Sequence, residues 1–149
     1  VGSYVLTWRP VAGGNLAIGH KPGKKLREQL DAQGCTLVVN LLSHAESSAS
    51  EGQNRVRLPL VGAEPPGPER NAEIIEVFGR MLAELERGGR VYVHCSAGLH
   101  RTGLIANAFL RWHGLSAEAA FALMIELRPL TAEQVGPERL AWGEQFARH

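Results

Sequence analysis

The stretch Val91-Tyr92-Val93-His94-Cys95-Ser96-Ala97-Gly98-Leu99-His100-Arg101-Thr102-Gly103 restricts the fold of this chain more than any other. An apolar run ends at His94, small residues follow, and helical apolar spacing resumes at Leu104. That pattern predicts a buried strand, a tight loop and the start of a helix. The five residues between Cys95 and Arg101 are few enough to curl round one tetrahedral anion. Successive backbone N–H groups can then point inward as a nest. The following helix aims its free N–H groups and positive dipole end at the same spot. A Cys95 thiolate in that field is favoured over the thiol. Arg101 offers a planar fork that holds two anion oxygens at once. Gly98 permits positive φ or close backbone approach in mid-loop. Ser96 and Ala97 keep the rim open, Leu99 and His100 complete the loop, and Thr102 can donate its hydroxyl to the Cys95 sulfur. The plainer reading is a buried structural cysteine beside a solvated arginine. The conjunction of His94, Gly98 and Thr102 around the pair argues against it.

The motif His94-Cys95-x5-Arg101-Thr102-Gly103 resembles the active-site signature of the cysteine-dependent protein tyrosine phosphatase superfamily. The chain's size is similar to that of the small dual-specificity and atypical branch. Weaker echoes lie in Gly14-Asn15-Leu16-Ala17-Ile18-Gly19 and Val38-Val39-Asn40-Leu41-Leu42. His100 before the arginine is similar to small atypical members from plants and fungi, which usually carry Lys where this chain has Leu99. The resemblance implies a phosphocysteine mechanism, with His94 bonded to loop backbone and tuning the thiolate.

The remaining elements fit that frame. Residues 4–8 and 16–19 are expected to be strands joined by a turn over 11–15. A helix is expected over 24–33, with Leu26 and Leu30 inward and Gly34 as its stop. Residues 36–42 form a continuous apolar run that suits a strand buried on both faces. Residues 44–54 are loop-like, 56–60 read as a strand cut off by Pro59, and 62–68 are Pro/Gly-rich loop. A helix to residue 87 turns Ile74, Ile75, Phe78, Met81, Leu82 and Leu85 to the core. Residues 90–94 form the strand feeding Cys95. A helix from about Thr102 buries Leu104, Ile105, Ala108, Phe109 and Trp112. Ser116 caps another, with Ala120, Leu123, Met124 and Leu127 inward. A last helix runs from Gly136-Pro137 to about 148. Alternating strands and helices with short connections argue for an α/β fold. The expected form is a central, mostly parallel sheet of four to five strands flanked by helices, dual-specificity-phosphatase-like, in a single domain over 1–149. Ligands bind such sheets beyond the strand C-termini. Residues 43–48 and 61–68 are therefore the expected walls around Cys95.

The net charge of +1 implies no nucleic-acid partner. No apolar run approaches the ~18 residues of a membrane span, so no membrane partner is expected. The two cysteines make no disulfide framework, and a required free thiol suits a reducing, cytoplasmic compartment. Cys35 and Cys95 stand at opposite ends of strands ~20 Å long, beyond disulfide reach. No metal or cofactor is implied. A chain opening on Val1 is not read as complete at its start.

The residues permit two-step hydrolysis of a phosphoester. Cys95 attacks phosphorus, Arg101 and the loop N–H groups hold the equatorial oxygens, a general acid protonates the leaving oxygen, and water hydrolyses the intermediate. The expected substrate is a phosphorylated protein or small phosphoester. Relatives take the acid from an Asp after the strand ending near Pro59, but Asp31, the only Asp of this chain, lies elsewhere. Glu64 is the nearest carboxylate on that loop. Glu46, Glu69 and His44 are the other candidates, and the absence of any protein acid is a further alternative. The competing functions are a phosphate-binding module with little turnover and a phosphatase of a non-protein substrate such as a phosphoinositide, inositol phosphate or RNA 5′-phosphate. His20 and Lys21 read as surface charge and Arg128 as a structural surface arginine. Thr131-x-x-Gln134 reads as a capping box, with Gln134 as a water-positioning residue the alternative.

Overall fold

A computed structural model describes residues 5–47, 52 and 54–148. Tyr4, at the start of the first expected strand, and Ser48, at the end of one expected pocket wall, lie outside them. The strands are β1 (Arg9–Val11), β2 (Gly14–Gly19), β3 (Leu37–Asn40), β4 (Arg55–Arg57) and β5 (Arg90–His94). They form one sheet in the order β1-β2-β5-β3-β4. Among these strands the β1–β2 pair is antiparallel, and the β2–β5, β5–β3 and β3–β4 pairs are parallel. The helices are α1 (Lys24–Ala32), α2 (Asn71–Glu86), α3 (His100–His113), α4 (Ala117–Leu127), α5 (Pro129–Gln134) and α6 (Pro137–Gly143). The expected mostly parallel α/β sheet with flanking helices is what the chain forms.

Period-2 alternation sorts the strand residues between two cores. Leu16, Ile18, Leu37, Val39, Val91 and Val93 face the larger core, where α2 supplies Ile74, Phe78 and Met81 and α3 supplies Ile105 and Phe109. Ala17 and Tyr92 face the other way, onto Leu26 and Leu30 of α1. Helix α3 is buried without interruption from Thr102 to Leu110, as befits a helix enclosed on all sides. Registry then positions the site. Gly19 pairs with His94, His94 with Asn40, and Asn40 with Arg57. The four parallel strands therefore end in one row, and the loops after them converge at one edge.

Several local expectations are corrected. The first strand forms at Arg9–Val11 rather than 4–8. Leu6 is instead buried against α1, and Trp8 Nε1 donates to Gln33 Oε1 at 2.7 Å. The hairpin turn is the two residues Ala12 and Gly13, at φ 53° and 95°, the positive-φ geometry that matches strand twist. Strand β4 is shorter than 56–60 and begins one residue earlier. On α2, Val77 points inward and Ile75 outward. Helix α3 begins at His100, because Gly103 N–H already bonds Leu99 C=O at 3.0 Å. The last helix stops at Gly143 and tightens into a 3₁₀ turn, Glu144–Phe146, which brings Phe146 edge-on to Phe78 and Trp142. Helix α5 stands where a capping box was expected. Arg128 precedes Pro129 and is extended, at φ −164° and ψ 103°, as steric clash with a following proline demands. The proline then starts a new helix, so Thr131 and Gln134 lie inside α5 and cap nothing.

Candidate active site

Cys95 follows β5 directly and is 3% exposed. Thr102, fully buried in the first turn of α3, donates its hydroxyl to Cys95 Sγ at 3.0 Å. His94 is buried beside it, stacked on Tyr92. Its Nδ1 lies 3.2 Å from Cys95 O. A carbonyl only accepts, so Nδ1 carries the proton. Burial pushes the imidazole down to about 4, so it is neutral at pH 7, and the nearby charges of Lys21 and His20 act in the same direction. The expected bond from His94 to the loop backbone is present.

The loop itself is tied from outside. Lys21 N–H, just past β2, donates to Ser96 O at 2.9 Å. Arg128 Nη1 donates to Ala97 O and Gly98 O, both at 3.0 Å. Thr131 Oγ1 donates to Gly98 O at 2.5 Å. In a planar trans peptide the N–H of the next residue points opposite to each C=O. The N–H groups of Ala97, Gly98 and Leu99 are thereby turned away from β2 and α5, into the hollow of the loop. Among the described residues no protein oxygen accepts from any of the three. Unsatisfied donors pointing to one spot are what an oxyanion needs. Gly98 holds φ +75°.

Arg101 issues from the first turn of α3, and its guanidinium makes a two-pronged pair with Glu46. Nη1 meets Oε1 at 2.6 Å and Nη2 meets Oε2 at 3.0 Å. Nη1 also donates to Leu60 O at 2.9 Å. Glu46 is fixed in turn by Ser43, whose N–H and hydroxyl donate to Oε1 at 3.1 and 2.8 Å. Arg57 holds that turn from within, through Leu42 O and Ser47 O at 2.8 and 2.9 Å. Arg101, assisted by Ser43, holds the Glu46 carboxyl down at about 2. The bond to Glu46 and the charge of Cys95 hold Arg101 more firmly protonated, against partial burial. In this arrangement Glu46 is engaged as the ion-pair partner of Arg101, and both its oxygens accept hydrogen bonds. The first expected wall reaches the site through Glu46; the second contact comes from Leu60 O, one residue before the expected wall of 61–68.

Glu64 is exposed on that second wall. It is four residues beyond Leu60, a path of at most ~14 Å. Arg139 Nε anchors Ala63 O immediately before it at 2.8 Å. Ser96 and Ala97 are exposed, while Leu99 and His100 are half-buried at the mouth. Cys35 and Cys95 are both free thiols. Burial pushes Cys35 up to about 11, and its sulfur donates to Leu37 O at 3.5 Å. A cavity of about 510 Å³ lies on the α1 side of the sheet, between Leu30, Val38 and Arg57, and touches the catalytic loop's surroundings through His94 and Lys21.

Sequence reasoning named three residues but misplaced their contacts. Glu46 carried a signal, since Ser43-x-x-Glu46 has capping-box spacing, yet nothing local indicated that its carboxylate would meet Arg101. Arg128 is no free surface group, and Thr131 is fully buried against the loop. Their partners lie some thirty residues away in sequence, beyond the reach of any periodicity.

Residues 16–136 match the sequence model of the family described as dual specificity phosphatase, catalytic domain. The tyrosine-protein phosphatase CDC14 of Candida albicans is 29% identical over 123 residues, which are 80% of this chain and 22% of that protein. The chain thus spans about a fifth of the length of this curated relative. Among solved structures, kinase associated phosphatase with its catalytic-site cysteine replaced by serine has a TM-score of 0.76 at 16% identity, covering 95% of this chain and 93% of that one. PTPMT1 in complex with PI(5)P has a TM-score of 0.69 at 21% identity, covering 87% and 89%. Both structural likenesses concern the fold.

Proposed function

Since the chain belongs to the dual specificity phosphatase catalytic-domain family, we propose that it hydrolyses phosphomonoesters through a phosphocysteine intermediate, with protein phosphotyrosine as its first substrate class. The observation that carries this reading is the convergence on Cys95 of the Thr102 hydroxyl, the Arg101 guanidinium and three unsatisfied N–H groups. In the first step Cys95 Sγ bonds to phosphorus, the P–O bond to the leaving group breaks, and the released oxygen takes a proton from Glu64. In the second step water forms a new P–O bond and gives its proton to the Glu64 carboxylate, the P–S bond breaks to return the Cys95 thiolate, and phosphate leaves. Arg101 and the N–H groups of Ala97, Gly98 and Leu99 hold the equatorial oxygens as charge spreads over them. His94, Ser96 and His100 support and line the mouth. Loop positions 96–100 carry no Lys or Arg to seek further phosphates. Val61, next to the Leu60 that Arg101 bonds, is 80% exposed and open to contact with an aryl ring. A thiol nucleophile suits a reducing compartment such as the cytoplasm.

The test has two arms. Cys95→Ser abolishes turnover while tungstate binding persists, and acid-quenched wild-type enzyme carries one phosphate on Cys95. Turnover by that variant at the wild-type rate would sink the reading. Glu64→Gln slows alkyl phosphates by about 10²–10⁴-fold, the usual contribution of a general acid, and spares activated aryl phosphates. Equal rates on both would remove Glu64. A second reading, a phosphate-binding module of low turnover, is favoured by the engagement of the Glu46 carboxylate with Arg101 and Ser43; binding without turnover of any ester would establish it. Phosphotyrosine peptides are compared with PI(5)P, the ligand of the PTPMT1 structure, in one substrate panel.

A further inference from the structure

We propose that Arg128 and Thr131 are positioning residues for the catalytic loop, fixing the Gly98 and Leu99 N–H groups toward the oxyanion and so setting its affinity. The proposal rests on the phosphatase reading of the same site.

Three successive carbonyls of the loop are bonded on their outer side. Ser96 O is held by backbone, through Lys21 N–H. Ala97 O and Gly98 O are held by side chains, those of Arg128 and Thr131. A peptide plane turns as a unit, so fixing a carbonyl fixes the next N–H with it. If either plane rotated, a carbonyl dipole would replace an N–H dipole in the hollow and repel the anion. Thr131 is fully buried, so no water takes over its hydroxyl's bond to Gly98 O. Arg128 bonds the Thr131 hydroxyl as well, at 3.3 Å, so the two donors form one clamp. Its guanidinium also places a positive charge behind the loop without touching the substrate. A charge bonded to a carbonyl polarises the peptide and strengthens the N–H on the far side. The geometry has a backbone cause. Arg128 is extended between α4 and α5 because Pro129 follows it, and the one-turn offset carries both side chains to the loop.

The test measures inorganic phosphate affinity by calorimetry, kcat/KM on an aryl phosphate, and thermal melting for each variant. Thr131→Val keeps the packing of the Thr131 methyl near Gly103 and removes only the donor. It weakens phosphate about three- to tenfold and lowers kcat/KM in step, the scale of one lost hydrogen bond. Thr131→Ser restores both to within about twofold. Arg128→Ala costs about ten- to a hundredfold, the scale for a charged donor. Glu133→Gln, exposed on the same helix, changes neither. Wild-type phosphate affinity in Thr131→Val and Arg128→Ala, with lowered melting alone, would show a structural prop and overturn the proposal. Should Arg128→Ala fail to fold, the Thr131→Val and Thr131→Ser pair decides. If wild-type protein itself neither binds phosphate nor turns over ester, the phosphatase reading falls and takes the clamp with it. If wild type works and the variants match it, only the clamp falls.

Discussion

Gly98→Ala is the sharpest test of how the catalytic loop is held. A Cβ at Gly98 would stand 2.3 Å from Gly19 C, 2.4 Å from Gly19 O and 2.6 Å from His20 N. These are backbone atoms at the end of β2, which is locked by its pairing with β5 at His94, so they do not yield. Carbon atoms sit comfortably at ~3.5 Å, so the loop must retreat by about 1 Å. Alanine at φ +75° adds about 1–2 kcal/mol of left-handed strain. With residual crowding the loss of stability is about 2–3 kcal/mol, or about 4–12 °C in Tm for a chain of this size. The chemistry suffers more than the fold, because about 1 Å of misplacement at a reacting centre costs about a hundredfold. The assays are differential scanning calorimetry, phosphate binding and kcat/KM on an aryl phosphate below the melting range. A variant within about 2 °C and twofold of wild type would refute the claim that β2 fixes the loop.

Glu46→Gln keeps the Ser43 contacts but offers Arg101 one oxygen in place of two, so kcat/KM should fall roughly tenfold, the scale of a lost charge-assisted bond; unchanged steady-state kinetics would show that Arg101 is held without it. Two acid-sensitive windows should separate in urea melts. His94 falls from 6.5 to about 4 in the fold, so the unfolded chain binds the extra proton first. Its stabilising contribution is full above pH 6.5 and is lost, to the order of 3 kcal/mol, as pH falls to about 4. His94→Asn should flatten that window, and an unaltered slope there would contradict the assignment. Glu46 falls from 4.5 to about 2; its contribution is present above pH 4.5 and is lost as pH drops toward 2, a lower window that Glu46→Gln should remove.

The parts of the site legible in the sequence are those whose partners are close along the chain. Cys95, Thr102 and His94 lie within eight positions, and one turn of loop and one turn of helix bring them together. The sheet was equally legible, because strands buried on both faces leave apolar runs such as 36–42 and 90–94. Glu46 reads as a candidate acid in the sequence, and its meeting with Arg101 makes it an ion-pair partner whose carboxyl is held down at about 2. Thr131 fitted a local capping pattern better than the distant bond it makes. Residues 5–8 depart from the expected strand for a similar reason: Leu6 packs on Leu26 and Leu30 of α1, and Trp8 bonds Gln33 at its end.

The sequence by itself determined the chemistry available at the end of β5, a thiol and a guanidinium spaced for one oxyanion, because a single strand–loop–helix unit contains them both. Only the tertiary structure decided how that loop is aimed. Its carbonyls are fixed by Lys21, Arg128 and Thr131, and its arginine by Glu46 and Leu60. Those donors and acceptors come from four other segments of the chain, and hydrogen bonds between segments are set by sheet register and helix packing, which leave no periodicity in the sequence to read.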